Sequence, residues 1–255
     1  MLEQYPDLIA LITTLKMAAL TTVILLLLGT PLAWFLAKMQ SRFKVIFEAI
    51  VALPLVLPPT VLGFYLLIAF SPQHLPGQMW QNITGQQLAF SFSAIVIGSV
   101  LYSLPFVVQP LQKAFEQLGD NLLEAGAMLG ATPLDRFFTI VLPLTKTSFI
   151  TAASLGFAHT VGEFGVVLMI GGNIPDETRV LSIALFDHVE AFNYDKAHIL
   201  AGSLLIASLV LLALVYLLNY RTLNNPILNS RTLSNGTLRN RSLNNESSNS
   251  NAGDV

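Results

Sequence analysis

Five segments of the chain, about 9–37, 46–70, 89–111, 145–171 and 198–219, are apolar runs of membrane-spanning length. Crossing the ~30 Å hydrocarbon layer of a bilayer takes roughly 20 such residues as a helix. Inside that layer every backbone N–H and C=O needs a partner within the protein, so runs of this kind fold as helices. The whole composition agrees, with 53% apolar and only 11% charged residues and a mean hydropathy of +0.64. Soluble domains carry about a quarter charged residues. The expected fold is therefore an all-α polytopic membrane protein with five transmembrane helices.

Several function classes drop out at once. A net charge of −2 leaves no basic footprint for nucleic acid. Without cysteine the chain has no disulfide, thiol nucleophile or thiolate metal site. It contains neither a Gly-x₄-Gly-Lys-Ser/Thr phosphate loop nor a Gly-x-Ser-x-Gly elbow. The sequence thus presents no catalytic residue, no metal ligand set and no cofactor site. The first apolar run starts near Leu8, lacks a basic leader and continues to about Met39, too long for a cleavable signal.

Orientation follows from the loops, because Lys and Arg accumulate on the cytoplasmic side. Loop 38–45 holds Lys38, Arg42 and Lys44, and segment 112–146 holds Lys113, Arg136 and Lys146. The tail adds Arg221, Arg231, Arg239 and Arg241. On the other side, loop 71–88 has no basic residue, and 172–197 sets Arg179 and Lys196 against Asp176, Glu177, Asp187, Glu190 and Asp195. The expected topology has the N-terminus outside and the C-terminus in the cytoplasm.

Prolines punctuate two spans: Pro54, Pro58 and Pro59 in the second, Pro105 and Pro110 in the third. Each removes a donor and crowds the preceding turn. Such helices are either kinked packing elements or the walls of a water-filled path, where irregular backbone is tolerated. Residues 1–220 form the membrane domain. Residues 221–255 form a separate low-complexity tail, in which Leu223, Leu228, Leu233, Leu238 and Leu243 recur every five residues. That period suits neither helix nor strand, and the tail reads as disordered.

The polar loop 112–144 carries its own start and stop signals. Asn121 and Glu124 have the spacing of a capping box. Gly130 is placed to end that helix in the left-handed conformation. Thr132-Pro133-Leu134-Asp135 starts a second helix, with Thr at the N-cap and Pro at the first helical position. By local signals alone, the loop is an interfacial helical hairpin.

The complete pattern, Glu124-Ala125-Gly126, Gly130, Ile140, Leu142-Pro143, resembles the cytoplasmic loop of ABC importer permeases. Gly126 departs from it, since that family more often has Ala there. The stretch Leu53-Pro54-Leu55-Val56-Leu57-Pro58-Pro59-Thr60 is similar to the second span of molybdate permeases. Gly162-Glu163-Phe164-Gly165 and Pro175-Asp176-Glu177-Thr178-Arg179 are similar to their fourth span and following loop. Sulfate and tungstate permeases share much of this pattern. The resemblance covers about 8–220. It implies a coupling helix with Glu124, Ala125, Gly126 and Gly130 at the docking surface of a cytoplasmic ABC ATPase dimer. It also implies a homodimer in the inner membrane and an extracytoplasmic oxyanion-binding protein.

A bare divalent oxyanion in low dielectric faces a prohibitive solvation cost, so its path needs hydroxyls and backbone donors. Thr60, Ser99, Ser103, Thr151, Ser154 and Thr160 lie within spans and are the candidate lining. A hydroxyl in such a place more often bonds back to its own helix. Glu163, ionisable within a span, reads as structural, pairing with a base or capping broken backbone between Gly162 and Gly165. His159 stands one turn before it, within i,i+4 reach. Two other readings stay open: a membrane scaffold that uses 112–143 only for docking, and an ion-coupled secondary transporter.

Overall fold

The computed structural model describes residues 6–223, and the repeats of the Leu-rich tail beyond Leu223 lie outside the described residues. The described chain is built of helices, with no strand among the described residues. The described residues divide into two units, the first ending at Leu212.

The helices are α1 (Pro6–Lys38), α2 (Lys44–Val56), α3 (Pro59–Phe70), α4 (Leu75–Thr84), α5 (Phe92–Leu118), α6 (Asn121–Met128), α7 (Pro133–Arg136), α8 (Leu142–Val161), α9 (Gly165–Gly171), α10 (Leu181–Glu190) and α11 (Tyr194–Leu223). A π-helical turn, Phe137–Val141, joins α7 to α8. Among the described residues four helical stretches are long and apolar enough to cross a membrane by themselves, and α2 with α3 makes a fifth if the bent pair is one span.

Three expected spans change shape. The second is two helices meeting at 108°. Leu57 (ψ 135°) and Pro58 (ψ 135°) are both extended, the conformation that a following proline favours, and the helix stops there and restarts at Pro59. The third, expected at 89–111, continues to Leu118 with Pro105 and Pro110 inside one helix. The polar loop proper therefore begins near Gly119 and not at residue 112. The fourth, expected as one run over 145–171, is broken at 162–164 into α8 and α9.

The packing centres on α1, α5 and α8, with α9 against α3 and α5, and α10 against α1. Two buried apolar clusters fill it. One gathers Met17, Phe70, Ile95, Val166, Ile170 and Ile183; the other gathers Leu25, Leu36, Val107, Leu111, Phe115 and Val141. The second cluster lies directly beneath the polar hairpin and fixes its base.

Candidate coupling site

The hairpin is assembled from two local capping devices. Helix α6 ends in a Schellman motif: Ala131 N–H donates to Gly126 O at 3.1 Å and Gly130 N–H to Ala127 O at 2.9 Å. Gly130 sits at φ +83°, a conformation that costs an ordinary residue ~1–2 kcal/mol. Helix α7 starts with a full capping box, in which Asp135 N–H donates to Thr132 Oγ1 at 3.2 Å and Thr132 N–H to Asp135 Oδ2 at 3.1 Å. Such a cap contributes ~1 kcal/mol.

The start of α6 differs from the sequence reading. Asn121 is already helical, Asp120 is the N-cap, and no side-chain cap bond forms. Asp120 is instead paired with Lys38 at the end of α1, which leaves its carboxylate turned away from the α6 amides. The π turn has a simple cause. Pro143 cannot donate to the carbonyl four residues back, and Leu142 N–H reaches five residues back to Phe137 O. Turns of this type cluster at functional sites.

Several contacts hold the hairpin to the spans. The Lys38–Asp120 pair ties it to α1, and Lys44 pairs with Glu116 at 2.7 Å to tie α2 to the end of α5. Exposed pairs of this sort contribute ~0–1 kcal/mol, so their use is registry. Trp34 of α1 meets Phe115 edge-on at 5.2 Å and Phe137 at 6.4 Å, linking α1, α5 and the π turn in one aromatic row. Arg136 donates to Leu123 O at 3.2 Å and bridges α7 to α6.

The expected docking residues do not share one face. Glu124, Ala125 and Gly130 are exposed, whereas Gly126 is buried and turned towards Ile140 and Arg136. The outward surface is completed by Met128 and Leu129, 88% and 89% exposed. Sequence reasoning passed over both because apolar residues are unremarkable in an apolar chain. Their signal was position, immediately before the αL glycine.

The structure does not gather the candidate path residues. Ser99 and Ser103 are fully buried between helices. Ser103 Oγ is 2.8 Å from His159 Nδ1 and 3.2 Å from Thr160 Oγ1, and Thr160 donates to Gly156 O at 2.8 Å. These hydroxyls are buried in the helix contacts among the described residues. Thr60 is exposed at the start of α3, and Thr151 and Ser154 are half-buried on α8. Thr151 Oγ1 donates to Thr147 O at 3.0 Å.

Glu163 departs most from expectation. It is 3% exposed in the break between α8 and α9, where neither carboxylate oxygen has a well-aligned hydrogen-bond partner and the Ser99 hydroxyl is its polar neighbour. Its side chain neither pairs with a base nor caps the break; His159 turns instead to Ser103 and stacks on Phe106 at 4.0 Å. The Glu163 backbone is engaged instead: its N–H donates to Thr160 O at 3.3 Å and its carbonyl accepts from Ser182 Oγ at 2.6 Å. Among the described residues no group of three or more His, Asp or Glu side chains could hold a metal ion.

Comparison with known proteins places this geometry. The family of binding-protein-dependent transport system inner membrane components matches residues 29–224. The molybdenum transport system permease protein ModB of Azotobacter vinelandii is 58% identical over 200 residues, 78% of this chain and 88% of that protein. The probable sulfate transport system permease protein cysT of Anthoceros angustus is 34% identical over 194 residues, 76% of this chain and 67% of that protein. A bacterial ABC transporter involved in the import of the acidic polysaccharide alginate superposes with a TM-score of 0.69 at 16% identity, over 85% of this chain and 80% of that chain. The fold is that of ABC transporter permeases, and the chain belongs to the family of binding-protein-dependent transport system inner membrane components.

Proposed function

We infer that this chain is the membrane-spanning permease subunit of an ATP-driven importer for molybdate in the bacterial inner membrane. The single observation that carries the cargo is the 58% identity to a molybdenum permease along most of both chains, against 34% to a sulfate permease. The chain itself supplies no hydrolytic chemistry. Two ABC ATPase subunits hydrolyse ATP on the cytoplasmic side, and an extracytoplasmic binding protein delivers the anion.

The permease works as a homodimer with its N-termini outside, its C-termini inside and five spans per copy. Residues 1–220 are the transport domain and the tail from 221 is dispensable. The hairpin between Gly119 and Val141 docks on the ATPase through Glu124, Ala125, Gly130 and the adjoining Met128 and Leu129. The support is mechanical. A hairpin closed by a Schellman motif and a capping box resists bending, and Trp34 and Lys38 join it to α1. Closure of the ATPase pair then moves the hairpins and the spans attached to them, and the two halves rock about a central path. Thr60, Thr151 and Ser154 remain the candidate lining of that path, which the second copy completes.

The test combines Glu124→Ala with Gly130→Pro. Proline cannot adopt φ +83° and deletes the bond from Gly130 to Ala127 O. Uptake of radiolabelled molybdate by cells is expected to fall by about tenfold or more, while membrane insertion and yield stay at parent levels. Unchanged uptake would leave the scaffold reading standing. Competition with excess tungstate and sulfate reads the cargo in the same assay, and equal competition by sulfate would move the assignment to sulfate.

A further inference from the structure

Beside the hairpin a groove of about 740 Å³ opens between the second half of α1 and the π turn. Its walls are apolar except for Thr30 and Arg136. Along α1 it runs from Leu26 to Trp34, about 12 Å at the helical rise. Leu27 and Phe138, 69% and 60% exposed, flank its mouth. Trp34 and Phe137, two rings of the aromatic row, also line it.

The charge at one end of this groove is unmatched. Arg136 lines it, yet no carboxylate lies within ion-pairing distance of Arg136 among the described residues. One terminal amino group reaches the Leu123 carbonyl, and Nε is buried without a partner. The neighbouring cations Lys38 and Lys44 are satisfied by Asp120 and Glu116. A guanidinium suits the forked oxygens of a phosphate. An apolar channel ending in an unpaired arginine at the level where the spans meet a polar loop has the chemistry of an anionic phospholipid site.

We propose that this groove binds an anionic phospholipid, with an acyl chain along Leu27, Thr30 and Trp34 and the headgroup phosphate on Arg136. The lipid would wedge between α1 and the π turn, the joint through which hairpin motion reaches the spans. The proposal requires α1 to span the bilayer and does not require the hairpin to couple to an ATPase, so the two can fail separately.

Trp34 is the built-in reporter, because the chain's two tryptophans are Trp34 and Trp80. The full chain carrying Trp80→Phe is reconstituted in phosphatidylcholine vesicles containing a small fraction of brominated phosphatidylglycerol, or in a parallel arm the same fraction of brominated phosphatidylcholine. The parent chain is run alongside. Brominated phosphatidylglycerol is expected to quench Trp34 about threefold more effectively. Arg136→Gln should erase the difference, Arg136→Lys should keep part of it, and Thr30→Phe, which fills the groove, should reduce quenching by both lipids. Equal quenching by the two lipids in the unsubstituted groove overturns the proposal whether or not Arg136→Gln folds. A preference that survives Arg136→Gln also overturns it, as does absence of quenching by either lipid, which would mean that protein fills the groove.

Discussion

At Gly126 a β-carbon would stand 2.9 Å from the Ile140 δ-carbon and 3.3 Å from the Arg136 γ-carbon. Both are atoms of flexible side chains, so a methyl group can be accommodated by small rotations. Helix propensity meanwhile favours Ala by ~1 kcal/mol. Gly126→Ala is therefore expected to fold and transport at parent level. Gly126→Leu is different, since its extra carbons must displace the π turn, and overpacking of this kind costs ~1–3 kcal/mol. Molybdate uptake should drop with Gly126→Leu while Gly126→Ala leaves it intact; equal uptake by both variants would show that hairpin packing does not matter. The sequence marked Gly126 as a surface residue of a motif. Its inward orientation depends on how the second helix folds back, which no spacing along one helix encodes. Glu163 was legible as exceptional for the same reason it is costly. A buried carboxylate with no cation beside it and only the Ser99 hydroxyl as a polar neighbour is destabilising, so Glu163→Met, of similar volume, should raise the thermal midpoint in detergent. A lower midpoint would mean that the carboxylate has a partner in the assembled transporter.

The elements divide by how local their causes are. The two hairpin helices were readable because Thr132, Pro133, Asp135 and Gly130 act within a few residues of one another. Prolines 58 and 59 likewise announced a break in the second span, although its angle of 108° did not follow from them. That angle is set by what α3 lies against, and α3 packs on α9, the far half of the other broken span. Gly63 permits the approach: a β-carbon there would come within 2.8 Å of the Met169 β-carbon and 3.2 Å of the Val166 α-carbon. These atoms cannot rotate away, unlike those facing Gly126. Gly63→Val should accordingly separate α3 from α9 and destabilise the protein by ~2–3 kcal/mol, read as a lower midpoint in thermal unfolding of the detergent-solubilised chain. A midpoint equal to the parent's would remove the α3–α9 contact from any role in holding the bend. The π turn was unread because its cause, the missing donor of Pro143, looked like an ordinary helix start.

At the scale of the whole molecule, two of the four membrane-length helical stretches among the described residues bury little of their apolar surface within the chain. Of the best apolar window in Pro133–Val161 only 22% is buried, and of that in Tyr194–Leu217 only 6%. Lipid can cover such surface, but a hydrophilic anion cannot travel between protein and lipid, so the conduit needs a second wall of protein. An isologous pair of identical chains would supply it with one two-fold axis, and in the proposed assembly it would also present two hairpins to two ATPase subunits. Two differently tagged copies expressed together are thus expected to co-purify, and the solubilised complex should contain permease and ATPase in equal numbers. The energy source separates this assembly from an ion-coupled carrier: depleting ATP should abolish molybdate uptake, whereas collapsing the proton gradient at constant ATP should leave it near the parent rate. Uptake that persists without ATP and stops with the gradient would make the hairpin a docking site without a motor, and the broken spans the moving parts of a secondary transporter.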